Sequence, residues 1–316
     1  MRFLISLVLL APLGFPALVL LANLARSGHR WPDILVQFTA PALVGTVLLA
    51  IGYLVIRQRL HLIASALVGA GLLIAVWPQW APEGERPAPG SPVIRVYSAN
   101  VWIQNADTAA IRRSIEAADP DIIMLIELGP EAREGIDEIL AGYPYRTETR
   151  TNGDRLERAV IAARFPIEEF GRRADGLHAV MAAAETPLGP MTFIVTHLTR
   201  PWPFEYQYGQ ISQVESLTER VAPLDGPVLI AGDFNSVTTG RIGRMIRSEM
   251  DLVAAPGWPG TWPSQAPSPL GMTIDQVYVT RDLAVRSRRL GDPNGSDHRP
   301  VVTEIGLAPS GQAEIF

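Results

Sequence analysis

The sequence predicts a mixed α/β (α+β) domain carried behind about three apolar helices, and three observations lead there. Apolar residues crowd into positions 1–80, a proline- and glycine-rich break follows at 81–92, and from residue 93 short β-type runs alternate with helical patterns. The 316 residues are 47% hydrophobic, with a mean hydropathy of +0.15, high for a water-soluble chain of this length. That excess belongs to the first part, so the chain divides into a membrane part and a water-soluble part.

Three apolar stretches come first: Phe3–Ala25, interrupted by Pro12, Gly14, Pro16 and Asn23; Ile34–Ile56, with no charge; and Leu62–Trp80. A helix crossing a bilayer core needs about 20 apolar residues, so spans are expected at about 3–25, 34–56 and 62–80. The first stretch has a rival reading as a signal peptide with Arg2 as its basic start, but no A-x-A cleavage pattern follows it. Arg2, Arg57 and Arg59 fall on one side of three spans, and Arg26, Arg30 and Arg86 on the other. The first set favours an inside amino terminus and puts the following domain outside the cytoplasmic membrane, in the periplasm. Trp31, Trp77 and Trp80 then fit the outer interfacial belt. The arginine-only basic residues and abundant Ala, Gly and Pro suggest a GC-rich bacterium, hence an inner-membrane protein.

Residues 81–92 hold four prolines and read as an extended linker. The folded domain is expected over 93–306, with 307–316 as a tail. Strands are expected at 93–99, 121–127, 159–163, 179–185, 191–196, 227–231, 273–280 and 299–305. Helices are expected at 108–118, 131–140, 205–221 and 241–249.

Charge and cysteine content narrow the chemistry. From residue 87 onward there are 21 arginines against 29 acidic residues, a balance of −8 that argues against a grip on long polyanions. With no cysteine, disulfides, thiolate metal sites and cysteine nucleophiles are excluded.

Polar residues recur where the apolar strands end. Asn100 follows V-I-R-V-Y-S-A, Glu127 follows D-I-I-M-L-I, and His197 follows M-T-F-I-V-T. Asp233 and Asn235 follow P-V-L-I-A-G, Asp275 lies within T-I-D-Q-V-Y-V, and Asp297 and His298 precede R-P-V-V-T. Each residue alone has an ordinary role as a turn former, a solvated acid or a core imidazole. Six recurrences in one chain point instead to strand-end loops converging on a site.

The motifs S-A-N (98–100), I-E-L (126–128), T-H-L (196–198), G-D-F-N (232–235), T-I-D-Q-V (273–277) and G-S-D-H-R-P (295–300) resemble, in order and spacing, the signatures of the endonuclease/exonuclease/phosphatase superfamily. That superfamily includes pancreatic-type deoxyribonucleases, abasic-site endonucleases, neutral sphingomyelinases and inositol polyphosphate 5-phosphatases. The resemblance covers about two thirds of the chain. It implies a four-layer αββα sandwich with two mixed sheets, and a Mg²⁺-dependent (Mn²⁺ possible) hydrolase acting on phosphate esters.

Chemistry assigns roles alongside the resemblance. Ester hydrolysis at phosphorus needs an in-line water and charge relief on the phosphoryl oxygens. Mg²⁺ prefers one or two carboxylates plus waters. Glu127 is the first expected metal ligand, Asn100 its neighbour and Asp297 a second metal-proximal carboxylate. Asp233 is the expected base, Asn235 orients water or a phosphoryl oxygen, and His298 donates to the phosphate. Asp275 would fix the tautomer of His298, and His197 would be a second phosphate contact. Glu157 could partner His197 or simply be a solvated acid. The aromatic segment after His197 reads either as a packed loop or as a substrate wall, with Arg200 near the phosphate and Trp202, Phe204 or Tyr206 against a base or lipid. Trp262 is expected to pack under the site. The run I-A-A-R-F-P (161–166) lacks the serine of the family's usual L-S-R.

The leading expectation is therefore a membrane-anchored phosphoesterase acting on a lipid head group, a small phosphoester or nucleic acid, with no protein partner evident. A metal-dependent nuclease is the alternative, and a catalytically inactive membrane-tethered binding protein the second. A calcineurin-type metallophosphoesterase would need a G-N-H segment and more histidines than His178, His197 and His298. Inactivity would be expected to cost one of Glu127, Asp233, Asn235, Asp297 or His298, and all are present.

Overall fold

The computed structural model describes residues 7–81, 84–148, 151–152, 155–156, 158–171, 176–201, 207–267 and 270–309. The helices are α1 (Gly14–Ala25, led by a 3₁₀ turn at Ala11–Leu13), α2 (Arg30–Val36), α3 (Thr39–Val55), α4 (Arg59–Trp80), α5 (Thr108–Ala118), α6 (Pro130–Glu134), α7 (Ile136–Ile139), α8 (Gln207–Val221) and α9 (Arg241–Glu249). The strands are β1 (Ile94–Asn100), β2 (Ile122–Ile126), β3 (Tyr145–Arg146), β4 (Thr151–Asn152), β5 (Arg155–Leu156), β6 (Val160–Ala163), β7 (Ile167–Phe170), β8 (His178–Thr186), β9 (Gly189–His197), β10 (Val228–Asp233), β11 (Val253–Ala254), β12 (Asp275–Val279), β13 (Leu283–Leu290) and β14 (Val301–Leu307).

Two six-stranded mixed sheets result, ordered β13-β14-β1-β2-β6-β3 and β11-β12-β10-β9-β8-β7. Successive strand residues point to opposite faces, and both faces of each sheet are apolar here. On β1, Ile94 and Val96 join Phe193, Val195, Leu229, Ala231 and Val277 in the core between the sheets. The intervening Tyr97 and Ala99 pack outward against Ile111 and Ile115 of α5. On β10, Val228 and Ile230 pack outward against Val214 and Leu217 of α8 and Ile242 and Ile246 of α9. Helices therefore cover both outer faces, and the four layers run α-β-β-α.

The amino-terminal part has its own small core of Val19, Ala40, Leu43, Leu72 and Val76. Leu7–Ala25 and Arg59–Trp80 are long and apolar enough to cross a membrane, and α2 with α3 makes a third candidate only if a 60° bend is counted within one span. The stretch 34–56 is thus not one straight helix. The bend falls where Pro41 withholds the N–H that would bond the Gln37 carbonyl, and contacts with the sandwich hold it. Buried Gln37 turns away from the helix bundle, accepting from the Val237 amide at 2.8 Å through Oε1 and donating to Ser236 Oγ at 3.4 Å. Gln79, near the end of α4, does the same. It donates to Thr239 Oγ1 at 2.7 Å, accepts from Thr273 Oγ1 at 3.1 Å, and its carbonyl accepts from the Gly257 amide. Trp80 packs on Trp258 with ring centroids 5.0 Å apart. The helices are therefore clamped to the sandwich beside the loop that follows Asn235. The 81–92 segment adds to the clamp: Pro87 lies against Gly306, and Arg286 donates to the carbonyls of Ala88 and Ser91.

Three local expectations need correction. The helix expected at 131–140 is two short helices parted at Gly135, where ψ is 11°. The sequence reading left out β7 and β13, which carry charged residues and lie at sheet edges. The last strand runs on to Leu307, and Ala308 still donates to the Asp282 carbonyl, so the domain extends past 306.

Gly232 allows β10 to lie close to β9. Its φ is +147°, and a Cβ there would sit 1.8 Å from the Thr196 carbonyl oxygen. Gly232→Ala is expected to destabilise the fold by ~3 kcal/mol or more. Chemical denaturation monitored by far-ultraviolet circular dichroism measures the loss, and a variant as stable as the parent contradicts the close approach.

Candidate active site

Strand parity positions the site. Asn100, His197, Asp233 and Asp275 continue the inward-facing phase of β1, β9, β10 and β12, in step with Val96, Val195, Ala231 and Val277 of the inter-sheet core. The core between the sheets therefore ends, at one edge, in a polar cluster. Register aligns it: Asp233 is paired with His197 on one side and with Asp275 on the other. Glu127 is one residue out of phase, following the inward-facing Ile126. Its left-handed backbone (φ 57°) re-aims the chain, and its carboxylate accepts from Asn100 Nδ2 at 3.0 Å and from the Ile103 amide at 3.3 Å.

Asp233 is at the centre. It is 2% exposed, accepts from the Asn235 amide at 2.8 Å and from Asn100 Nδ2 at 3.2 Å, and its Oδ2 lies 3.7 Å from His298 Nε2 and 3.8 Å from His197 Nε2. Burial pushes its carboxyl up to about 6; Asp275 adds to the rise, while His298, His197 and the Asn235 amide oppose it. His298 is buried as well. Burial alone would lower its imidazole, but Asp275 and Asp233 outweigh burial and hold it at about 10. Asp275 Oδ2 is 2.9 Å from His298 Nδ1, which leaves Nε2 facing Asp233 and the site. The backbone of His298 is steadied by Ser296 Oγ, which accepts from its amide at 3.1 Å.

Asn235 adopts φ 47°, a conformation that asparagine tolerates, and its Nδ2 reaches the Leu198 carbonyl at 2.9 Å and His197 Nε2 at 3.3 Å. Glu127 Oε1 is 3.5 Å from that same histidine nitrogen. Asp297, beside His298 in sequence, accepts from the Trp262 indole at 3.2 Å, and the Trp262 ring lies 6.5 Å from the His298 ring. Glu157, Trp202, Phe204 and Tyr206 lie outside the described residues.

Two groups of ligand atoms converge closely enough to hold a metal ion: Glu127, His197 and Asp233, and Asp233, Asp275 and His298. The second is fully buried, and its Asp275–His298 hydrogen bond is already made. The first suits a hard cation better. It is partly open to water, so a cation there could keep part of its hydration shell. Asp297 is in neither group.

Beside this cluster is a cavity of about 340 Å³. Arg200, Asn235, His298 and Trp262 line one side, and Ile34, Gln37 and Phe38 of the α2–α3 bend line another. None of these three is expected at the site from sequence, since they open the span expected at 34–56. Gln37, the one side-chain amide in that uncharged run, is the available signal.

Replacing Asp275 by Asn should lower the His298 titration from its value of about 10, since the leading opponent of burial is lost. Titrating the ¹⁵N-histidine signals of chelator-treated protein reads this directly, and an unmoved His298 contradicts the pairing.

The fold recurs in solved structures. An endonuclease/exonuclease/phosphatase from Beutenbergia cavernae is 21% identical, with a TM-score of 0.53, covering 68% of this chain and 72% of its own. One from Bacteroides vulgatus is 14% identical, with a TM-score of 0.56, covering 68% and 99%. A substituted beta toxin from Staphylococcus aureus with bound magnesium ions is 15% identical, with a TM-score of 0.52, covering 69% and 100%. At these identities the likeness establishes the fold. No characterised, curated protein matches the sequence. The model of the Endonuclease/Exonuclease/phosphatase family matches residues 97–298, more than half of the chain, from within β1 to His298, so the chain belongs to that family.

Proposed function

We propose that this protein is a membrane-anchored, divalent-metal-dependent phosphoesterase that hydrolyses an amphiphilic phosphoester by in-line attack of water. The observation that carries this reading is the shared cavity. Phosphate-suited groups (Arg200, Asn235, His298) and apolar residues of the α2–α3 bend (Ile34, Phe38) line the same space. A substrate with a charged phosphate and an apolar portion matches both sides, and the bend belongs to helices apolar enough to lie in a bilayer.

Asp233 accepts the proton of the attacking water at a carboxylate oxygen, and its value near 6 keeps it ionised at neutral pH. Asn235 orients that water or a phosphoryl oxygen. His298, protonated and held by Asp275 through Nδ1, donates from Nε2 to the phosphoryl group as charge builds there, while the ester P–O bond opposite the attacking water breaks and its oxygen leaves as the alcohol, taking up a proton from solvent. His197 and Arg200 offer further contacts to the phosphate. Glu127, with Asn100 beside it, would hold Mg²⁺ or Mn²⁺, which supplies Lewis-acid neutralisation of phosphoryl charge when bound. The reading places the sandwich outside the cytoplasmic membrane of a bacterium.

The test uses full-length protein in mixed micelles with Mg²⁺, offered sphingomyelin, phosphoinositides, a water-soluble short-chain phosphodiester, plasmid DNA and single-stranded DNA. Hydrolysis of an amphiphile, lost with chelator and in His298→Ala, is expected. Phe38→Ala should raise KM for the amphiphile by roughly tenfold or more while sparing the soluble ester. Cleavage of DNA with every amphiphile untouched would overturn the amphiphile assignment, and turnover unaffected by His298→Ala would overturn the catalytic one.

A further inference from the structure

Arg288 carries a charge into the space between the sheets. β13 pairs with β14 so that Arg288 stands opposite Thr303, and residues paired in this way share a face of the sheet. Thr303 is fully buried and in phase with Val301 and Ile305 of the inter-sheet core. Arg288 therefore enters, from an edge strand, the same layer that ends at Asp275 on the facing sheet. Its Nη1 donates to the Pro259 carbonyl, and its Nη2 is buried with no hydrogen-bond partner among the described residues. A buried guanidinium is costly without an opposing charge. Burial lowers its proton affinity, the carboxylate of Asp275 opposes that fall through space, and the side chain stays charged at neutral pH.

Pro259 opens the stretch that ties these groups together. Two residues on, Thr261 is fully buried; its Oγ1 accepts from the Asp275 amide at 3.4 Å and its carbonyl from the Arg299 amide at 2.9 Å. The Trp262 indole donates to the Asp297 carboxylate. Ser264 donates from its amide to the Asp297 carbonyl at 2.7 Å and from Oγ to the Ser296 carbonyl at 2.8 Å. The stretch 259–264 is thus laced to both chain neighbours of His298 and to the start of β12. Arg288 holds the first carbonyl of that stretch from inside the sandwich. In the sequence it is one of three arginines in L-A-V-R-S-R-R-L, an edge strand where solvated charge is the ordinary role.

We propose that Arg288 is a positioning residue for the candidate reaction: its charge and its hold on the stretch 259–264 fix the Asp275 carboxylate against His298. Asp275 then serves two cations, the His298 imidazolium through Nδ1 at 2.9 Å and Arg288 through space. Two cations keep one buried carboxylate ionised, and an ionised Asp275 keeps His298 turned with Nε2 toward Asp233. Arg288 lies behind Asp275 and acts only through it, so its loss should change turnover and not binding. The effect on turnover rests on the phosphoesterase reading; the effect on the Asp275–His298 pair does not.

Full-length, chelator-treated protein in micelles is labelled with ¹⁵N-histidine, and the His298 Nδ1 proton bonded to Asp275 is followed by NMR at one pH. Arg288→Gln, which keeps an N–H donor and loses the charge, should displace that signal. Arg288→Lys keeps the charge, and because Pro259 takes a single N–H bond from the arginine, it should restore the parent position. Hydrolysis of the water-soluble short-chain phosphodiester with Mg²⁺ is the second readout. In Arg288→Gln kcat should fall by roughly ten- to hundredfold with KM unchanged, and it should recover in Arg288→Lys. Adding Arg288→Gln to Asp275→Asn should cost no further kcat, since both act through one pair. Arg289→Gln, at an exposed position of the same strand, should match the parent in both readouts. Circular dichroism checks folding, and Arg288→Met, whose stem fills the same space, replaces the Gln variant if that one does not fold. An unmoved His298 signal in the neutral variant, no recovery with Lys, or additive losses with Asp275→Asn overturns the proposal. If the parent hydrolyses nothing, the phosphoesterase reading fails instead, and the His298 signal alone decides the role of Arg288.

Discussion

A carboxylate withdrawn from water must be compensated, and the geometry of this protein's site follows from how Asp233 meets that demand. Its negative charge sits at the end of an apolar inter-sheet core, where desolvation is costly. Hydrogen bonds from the Asn235 amide and Asn100, with the imidazoles of His298 and His197 nearby, hold it there. Each partner comes from a different element, so the cluster exists only when β1, β9, β10 and the loop before β14 are all in register. Asp275 extends the arrangement by one step, fixing one ring nitrogen of His298 so that the other faces Asp233. Stability and chemistry are thereby joined, since the same contacts that make the buried acid tolerable also set its proton affinity.

The second constraint is the attachment of the amino-terminal helices. Two buried glutamines, Gln37 and Gln79, satisfy backbone and hydroxyl groups around the Asn235 loop and the Thr273 strand entry. Buried polar groups of this kind are costly to leave unpaired, so the contact fixes an orientation and not merely a tether. Its consequence is that Ile34 and Phe38 become walls of the cavity beside His298. The amino-terminal helices thereby take part in shaping the space beside His298.

Much of the site was legible in the sequence because polar residues stood at the ends of strands whose alternation predicts an inward direction. Asn100, His197, Asp233 and Asp275 follow that rule. Glu127 was visible by its position but not by its direction, which depends on a left-handed backbone that no periodicity encodes. The missed strands β7 and β13 are edge strands, and I-E-E-F and L-A-V-R-S-R-R-L carry the charges that edges tolerate. The bend at Gln37 had one readable sign, Pro41, which cannot donate to the Gln37 carbonyl; the seat of Gln37 against Val237, far away in sequence, is not encoded by apolar composition. Asp297, expected as a second metal-proximal carboxylate, accepts from the Trp262 indole, a contact that its place in the sequence does not foretell.

The central claim is that the acids, amides and imidazoles at these strand ends form one cation-binding cradle around Glu127. Anomalous diffraction from crystals of the full chain soaked in Mn²⁺ tests it most directly. A peak beside the Glu127 carboxylate, within the space it shares with Asn100 and Asp233, is the predicted result. Ordered protein with no peak there, or with manganese only at remote surface acids, would contradict it.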